Sequence, residues 1–226
     1  MGRMSIPDDM QHNPKGFMPL LRQLSYGTIE IESGMSKKDF NRAIDANKMP
    51  KNMSVKTFHE AFNTYITMQE LWKGIIERNE PFTISESSIK ALHNSFMRGV
   101  HEDAGTYSQK VRVMGHLEHF STTWHADIPE EVNSWAYKYK VVNTLEDLAK
   151  SHAHFIAVHP FGDGNGRVGR ALMLAQCLNA RLMPPVFNAQ NKAMYYAAME
   201  HAMVHGRHTP LIRLMRDASF HHVEIV

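Results

Sequence analysis

The apolar residues of this chain recur at intervals of three and four positions almost from end to end. This spacing is typical of amphipathic helices and predicts a mainly α fold. The clearest segment, 143–158, opens with Thr144, a residue type that caps helices, and carries Glu146 and Asp147 where carboxylates favour the helix dipole. Further helices are predicted over 17–24, 58–72, 85–97, 167–182 and 192–205.

The stretch from Gly105 to Gly115 departs from this helical pattern. Val111 and Val113 alternate with polar residues, and glycines stand at both ends. This alternation predicts a short strand or β-hairpin. Two interpretations are open: the hairpin is a surface feature, or its unpaired edge receives a peptide as an added strand.

Charge and composition limit the classes of partner. The 25 basic and 23 acidic residues give a net charge of +2, so no nucleic-acid partner is expected. No apolar run reaches 18 residues, so no membrane partner is expected either. Cys177 is the only cysteine, which favours a cytoplasmic location and leaves secretion into a host open. The length permits one domain or two small ones; because no flexible linker is evident, we expect a single domain over 1–226.

The fifteen histidines raise the possibility of a metal site. Most of them are scattered without the short paired spacings of zinc or iron sites. The densest group outside the chain's end is His152, His154 and His159, for which a metal-ligand role is the alternative. His152 shares an apolar helix face with Leu148 and Phe155. We therefore interpret His152 as a hydrogen-bonded core residue.

The segment that carries chemistry lies between two predicted helices, at 159–170. Its alternating glycines force a tight turn, and the free N–H groups of the following helix point back into that turn. Such a turn binds anions, phosphates above all. Arg167 and Arg170 share one face of the helix and suit phosphate oxygens. Asp163 offers a carboxylate for Mg²⁺, and His159 a base that acts near neutral pH. The alternative is a solvated interhelical turn without function.

This segment resembles the signature of the Fic family, His-x-Phe-x-Asp/Glu-Gly-Asn-Gly-Arg-x-x-Arg. Every fixed position is matched, by His159, Phe161, Asp163, Gly164, Asn165, Gly166, Arg167 and Arg170. The resemblance implies a Fic-type helical bundle with its core over 90–205. In it, 105–115 is similar to the flap hairpin that holds the target by strand addition, through Tyr107, Val111 and Val113. Residues 191–199 are similar to the nucleotide-side helix, with Asn191 and Tyr195 as nucleotide contacts.

Membership of this family implies a protein adenylyltransferase that moves AMP from ATP to a Tyr, Thr or Ser hydroxyl of a target protein, or of itself. Each signature residue then receives a role from the resemblance. His159 is the base, Asp163 the Mg²⁺ ligand and Phe161 the anchor of the loop. Asn165 and the amides of Gly164 and Gly166 bind the α-phosphate, and Arg167 and Arg170 bind the β- and γ-phosphates. The resemblance also allows the protein to form a homo-oligomer.

The resemblance extends to an inhibitory helix at 15–34. In many Fic proteins the pattern Ser/Thr-x-x-x-Glu-Gly/Asn carries a glutamate that pairs with the second signature arginine. Thr28 and Glu32 match this pattern, but Ser33 stands where Gly or Asn is expected. The resemblance predicts a pair between Glu32 and Arg170. Because the residues from Thr28 to Glu32 also alternate like a strand, a half-buried β segment or an ordinary helix end at Gly34 is the alternative.

Two other functions compete with AMP transfer. Relatives with altered signatures transfer phosphate or phosphocholine, and Gly164 favours nucleotidyl transfer because the phosphate-transferring relatives have a bulkier residue there. A nucleotide-binding regulatory module is the other candidate. The presence of His159 argues against a protein that only binds.

Overall fold

The computed structural model describes residues 5–6, 14–45, 49–110, 112 and 120–220. Within these ranges the chain forms nine α-helices and one short π-helix, which continues α3. The helices are α1 Pro14–Ser33, α2 Lys37–Asp45, α3 Val55–Trp72 with the π-helix Lys73–Glu77, α4 Glu86–Met97, α5 Ile128–Lys138, α6 Leu145–Val158, α7 Asn165–Asn179, α8 Lys192–His205 and α9 Thr209–Phe220. The prediction of a mainly α fold is confirmed.

Capping side chains mark the starts of α3, α4 and α6. Thr144 begins α6 and accepts a hydrogen bond from the Asp147 N–H at 3.0 Å. Ser85 and Ser88 form a reciprocal capping box at the start of α4. The start of α7, like those of α5 and α8, has no side-chain cap, and Gly164 precedes it. Its first N–H groups are therefore available to a ligand.

Helix α7 runs through the centre of the molecule. It packs against α1, α3, α4 and α6, and nearly all of its residues are buried. The buried set includes Asn165, Arg167 and Arg170 in its first turns. Buried charges require partners. The polar side chains around the start of α7 are therefore the candidates for a functional site.

The predicted hairpin can be followed only in part. Residues 105–110 and Arg112 contain no strand, and no β-strand occurs elsewhere among the described residues. Val111 and Val113 lie outside the described residues. Tyr107 is described, and its buried ring lies 5.5 Å from that of Phe161. The flap therefore remains a prediction.

No helix in the described part of the chain has both the length and the apolar character that crossing a membrane requires.

Candidate active site

The turn between α6 and α7 is fixed by its backbone and by Asn165. His159 ends α6 with a left-handed φ of 52°, and Gly164 precedes α7 with a φ of 79°. The Asn165 side chain accepts the Phe161 N–H at 2.9 Å and donates to the Phe161 carbonyl at 2.8 Å. Phe161 is fully buried. Both amide atoms of Asn165 therefore serve the turn, and its main-chain N–H is what it offers to a phosphate.

His159 has one nitrogen available as a base. Its Nδ1 lies 3.2 Å from the Ile156 carbonyl oxygen, an acceptor, so Nδ1 carries the hydrogen and Nε2 keeps its lone pair. Burial lowers the pKa of His159 below its usual value. The imidazole is therefore neutral at pH 7 and able to take a proton.

Asp163 and Arg167 form an ion pair next to the turn. The Asp163 carboxylate accepts the Gly164 N–H at 2.6 Å and lies 3.3 Å from Arg167 Nη2. Arg167 is only 4% exposed, and Glu60 Oε1 lies 3.9 Å from its Nη1. The buried Arg167 guanidinium thus pairs with the Asp163 carboxylate and supports its position. Glu60, from α3, has no counterpart in the sequence prediction.

A metal ligand is available in Asp163. Its side chain is 46% exposed. Mg²⁺ in nucleotide sites is held by one or two carboxylates together with phosphate oxygens, and a single accessible carboxylate fits this pattern. Among the described residues no group of three or more His, Cys, Asp or Glu side chains could hold a metal.

Arg170 lies against the end of α1. Its guanidinium forms a salt bridge with Glu32 and donates to Thr28 Oγ1 at 3.3 Å. The Arg170 side chain is 5% exposed. At Gly166 a Cβ atom would overlap Glu32 Oε1, so the Glu32 carboxylate lies directly on the first turn of α7. The structure thus brings the two α1 residues of the predicted pattern to the second signature arginine.

Tyr195 and Asn191 lie at the start of α8. Tyr195 is 3% exposed and its hydroxyl lies 2.8 Å from His152 Nε2. Burial raises the pKa of Tyr195 to about 12, and the charge of Arg170 opposes that rise. Asn191 accepts the Asn188 N–H at 2.9 Å and so orders the turn before α8. The interpretation of His152 as a hydrogen-bonded core residue is confirmed.

His93, from α4, is a second residue at this site that sequence reasoning missed. Its ring stacks on Phe161 with centroids 3.8 Å apart and planes 6° from parallel. Nδ1 accepts the Gly105 N–H at 2.9 Å, so the other nitrogen, Nε2, donates to the Asp163 carbonyl at 3.0 Å. Burial lowers the pKa of His93 to about 4, so the ring is neutral. The only sequence signal is a histidine on the apolar face of a helix.

The comparison with known proteins agrees with this geometry. Residues 83–177 match the Fic/DOC family. Protein adenylyltransferase Fic of Nematostella vectensis is 27% identical over 217 residues, which cover 89% of this chain and 49% of that protein. The protein of the same name from Aedes aegypti is 32% identical over 202 residues, 86% of this chain and 39% of that protein. The chain spans half or less of the length of these curated relatives.

Solved structures share the fold. Fic-1 (aa134–508) from C. elegans has a TM-score of 0.80 at 18% identity, covering 96% of this chain and 67% of that chain. A Fic domain containing signaling protein from Bacteroides thetaiotaomicron has a TM-score of 0.72 at 19% identity, covering 97% and 84%. The Fic-type helical fold is thereby confirmed. Residues 83–177 of this chain therefore match a Fic/DOC family domain, and the turn between α6 and α7 lies within them.

Proposed function

We propose that this protein is an adenylyltransferase that moves AMP from ATP to a hydroxyl side chain of a target protein, or of itself. The observation that carries the proposal is the neutral His159, with Nε2 open, beside the uncapped start of α7. A base and an anion-binding helix end are the two parts that transfer of a phosphate-bearing group to a hydroxyl requires. The names of the relatives, protein adenylyltransferase, support the same reaction.

In the proposed reaction His159 Nε2 takes the proton of the incoming hydroxyl. The hydroxyl oxygen forms a bond to the α-phosphorus, the bond to the bridging oxygen breaks, and pyrophosphate leaves. The N–H groups of Asn165 and Gly166, in the first turn of α7, would face the charge that develops on the α-phosphate. Donors already held in place stabilise such charge without reorganising.

The remaining polar residues would hold the triphosphate. Asp163 would bind Mg²⁺, which neutralises phosphate charge when it is bound. Because Arg167 is buried and pairs with Asp163, its proposed role is to fix that carboxylate and to add positive charge close to the phosphates. Arg170, whose guanidinium can bind two oxygens at once, would grip the terminal phosphates.

We propose further that α1 is an inhibitory helix. Its Glu32 carboxylate lies on the first turn of α7 and binds Arg170. A carboxylate and a phosphate are both anions, so they compete for the same guanidinium. While Glu32 holds Arg170, the terminal phosphates lose their partner and ATP cannot take the productive position.

The departure at Ser33 is compatible with this proposal. The helix continues through Ser33, whose hydroxyl donates to the Ile29 carbonyl at 3.1 Å. It is Gly34 that adopts the left-handed φ of 68° and ends the helix. The terminating glycine has thus moved one position along the chain, and the orientation of Glu32 does not depend on it.

The test of the reaction is the intact mass of the protein after incubation with Mg²⁺ and ATP, CTP, GTP or UTP in separate reactions. We expect a mass gain equal to AMP with ATP in the Glu32→Gly variant, and no gain in Glu32→Gly/His159→Ala. A gain equal to phosphate alone would assign the site to phosphate transfer. An unmodified Glu32→Gly protein that binds ATP would point to the regulatory module.

A further inference from the structure

We infer that His93 is a positioning residue of this site, one that holds the Asp163 turn and the segment starting at Gly105 in fixed relation to each other. The inference rests on the proposed function for its effect on rate. Its geometric part stands on the contacts of one buried ring with two distant segments of the chain.

The His93 ring is held in three ways at once. It is 1% exposed, it stacks on Phe161 at 3.8 Å, and both of its nitrogens are hydrogen-bonded. One nitrogen donates and the other accepts, which only a neutral imidazole does within a rigid ring. Rotation of the ring would break both hydrogen bonds and the stack together. The ring therefore acts as a rigid spacer.

The hydrogen bond to Asp163 acts on the carboxylate through the peptide plane. His93 Nε2 binds the carbonyl of the peptide that joins Asp163 to Gly164. In a planar trans peptide the N–H points opposite to the carbonyl, so the same bond fixes the direction of the Gly164 N–H. That N–H in turn binds Asp163 Oδ1 at 2.6 Å. His93 thus sets the direction of the carboxylate that would hold Mg²⁺ without touching it.

The hydrogen bond to Gly105 links the turn to the segment with the predicted target-binding flap. Gly105 N–H is held by His93 Nδ1, and farther along the Ser108 N–H binds the Pro160 carbonyl at 2.9 Å. Tyr107 lies between these ties and packs on Phe161. The stretch 105–108 is therefore attached to the turn at both of its ends, and His93 forms one of these two attachments.

The test compares two substitutions of His93 in the Glu32→Gly background. His93→Phe keeps a ring for the stack on Phe161 and removes both hydrogen bonds. His93→Gln carries an amide N–H that reaches toward the Asp163 carbonyl. Asn179→Leu is the matched control, because it removes two hydrogen bonds of a half-buried side chain, with the N–H and the carbonyl of Phe82, at the opposite end of α7 from the turn.

A positioning role predicts a divided kinetic effect. In His93→Phe the kcat for AMP incorporation should fall about tenfold or more, since small misplacements of reacting groups are costly, while the KM for ATP changes by less than about threefold. His93→Gln should recover most of kcat, and Asn179→Leu should match the Glu32→Gly parent. A His93→Phe enzyme within about twofold of the parent would overturn the inference. So would equal losses in the Phe and Gln variants at equal Tm.

Amide hydrogen exchange provides a readout that needs no activity. His93→Phe should speed exchange at Gly105 and Gly164, and Asn179→Leu should leave both unchanged. Unchanged exchange in His93→Phe would overturn the inference even if the Glu32→Gly parent incorporates AMP. If that parent incorporates none, the proposed function fails, and the exchange rates alone decide whether His93 orders the turn.

Discussion

At the residue scale, the two arginines of α7 have different partners although they lie three positions apart. Arg167 binds Asp163 and is near Glu60, whereas Arg170 binds Thr28 and Glu32. Arg167 therefore helps to hold the turn in place, and Arg170 connects α7 to α1. Spacing alone predicts that both reach a phosphate, because it does not show which side chains each guanidinium contacts.

The first prediction concerns the pH dependence of transfer. The proposed base, His159, would act when its imidazole is neutral, and burial lowers its pKa. The transfer rate should therefore stay constant as pH falls from 8 to the ordinary histidine value of about 6.5, and decline only below it. The measurement is kcat for AMP incorporation against pH in the Glu32→Gly variant. A decline that begins above pH 7 would contradict the assignment of His159 as the base.

The second prediction concerns Asp163. Asp163→Asn keeps an oxygen that accepts the Gly164 N–H and removes the charge that attracts Mg²⁺. Activity should fall about a hundredfold and lose its dependence on Mg²⁺ concentration, while the fold is retained. The measurement is a Mg²⁺ titration of initial rates, with circular dichroism as the control for folding. A variant with the original Mg²⁺ dependence would exclude Asp163 as the ligand.

The sequence predicted the residues of the turn because they are local. All eight signature residues lie within 159–170, and the glycines define the backbone there. The supporting residues His93 and Glu60 come from α4 and α3, and His93 finds its partners 12 and 70 positions away. A histidine on an apolar face signals a buried polar group, but periodicity does not identify its partners.

At the element scale, α1 is attached to the start of α8 as well as to α7. Glu30 accepts the Ala189 N–H at 2.7 Å, and Lys192 donates to the Ile31 carbonyl at 2.9 Å. Tyr26 donates to the same Glu30 at 2.7 Å and fixes its orientation. These contacts lie outside the Glu32 pair, so the proposed inhibitory position of α1 depends on more than one residue.

The third prediction follows from these attachments. Glu30→Ala or Lys192→Met should weaken the docking of α1 by about 1 kcal/mol each, which raises the undocked population and AMP incorporation about fivefold. Glu32 and Arg170 remain intact in both variants. Arg42→Ala is the control, since its ion pair with Asp39 lies within α2. Rates equal to wild type in both variants would mean that α1 is held by the Glu32 pair alone.

Helical spacing predicted most of the elements but not all of them. The alternation from Thr28 to Glu32 suggested a strand because Ile29 and Ile31 are both apolar. In the structure both side chains are buried within α1. This helix packs against α2, α3 and α7 and therefore has more than one buried side. The prediction left out α2, α5 and α9. Of these, α2 and α5 are short, with 9 and 11 residues, whereas α9 has 12 residues with an apolar face that the prediction overlooked.

At the scale of the whole molecule, buried neutral histidines couple stability to pH. Burial lowers the pKa of His93 to about 4 and that of His152 to about 3. The unfolded chain, with histidines near 6.5, binds more protons as pH falls, so stability is lost below pH 6.5. Protonation reaches the folded side chains only near pH 4 and 3, and the loss continues down to those values.

The fourth prediction gives this loss a size. Between pH 7 and pH 5 each of the two histidines should lower the free energy of unfolding by about 2 kcal/mol. His152→Gln removes one titrating group, so its loss over the same range should be smaller by about 2 kcal/mol. The measurement is urea unfolding of both proteins at the two pH values. Equal losses in the wild type and the variant would mean that His152 does not remain neutral in the fold.

The fifth prediction, and the most direct test of an α1-controlled adenylyltransferase, is the initial rate of AMP incorporation at equal ATP and Mg²⁺. It compares wild type, Glu32→Gly, Arg170→Ala and Glu32→Gly/His159→Ala. Breaking the Glu32 pair removes about 1.5–3 kcal/mol of competing interaction, so Glu32→Gly should be at least about tenfold faster than wild type. Arg170→Ala should show no gain, because it also deletes the phosphate contact, and the double variant should be inactive. A Glu32→Gly rate equal to wild type, or an equal gain in Arg170→Ala, would contradict the account.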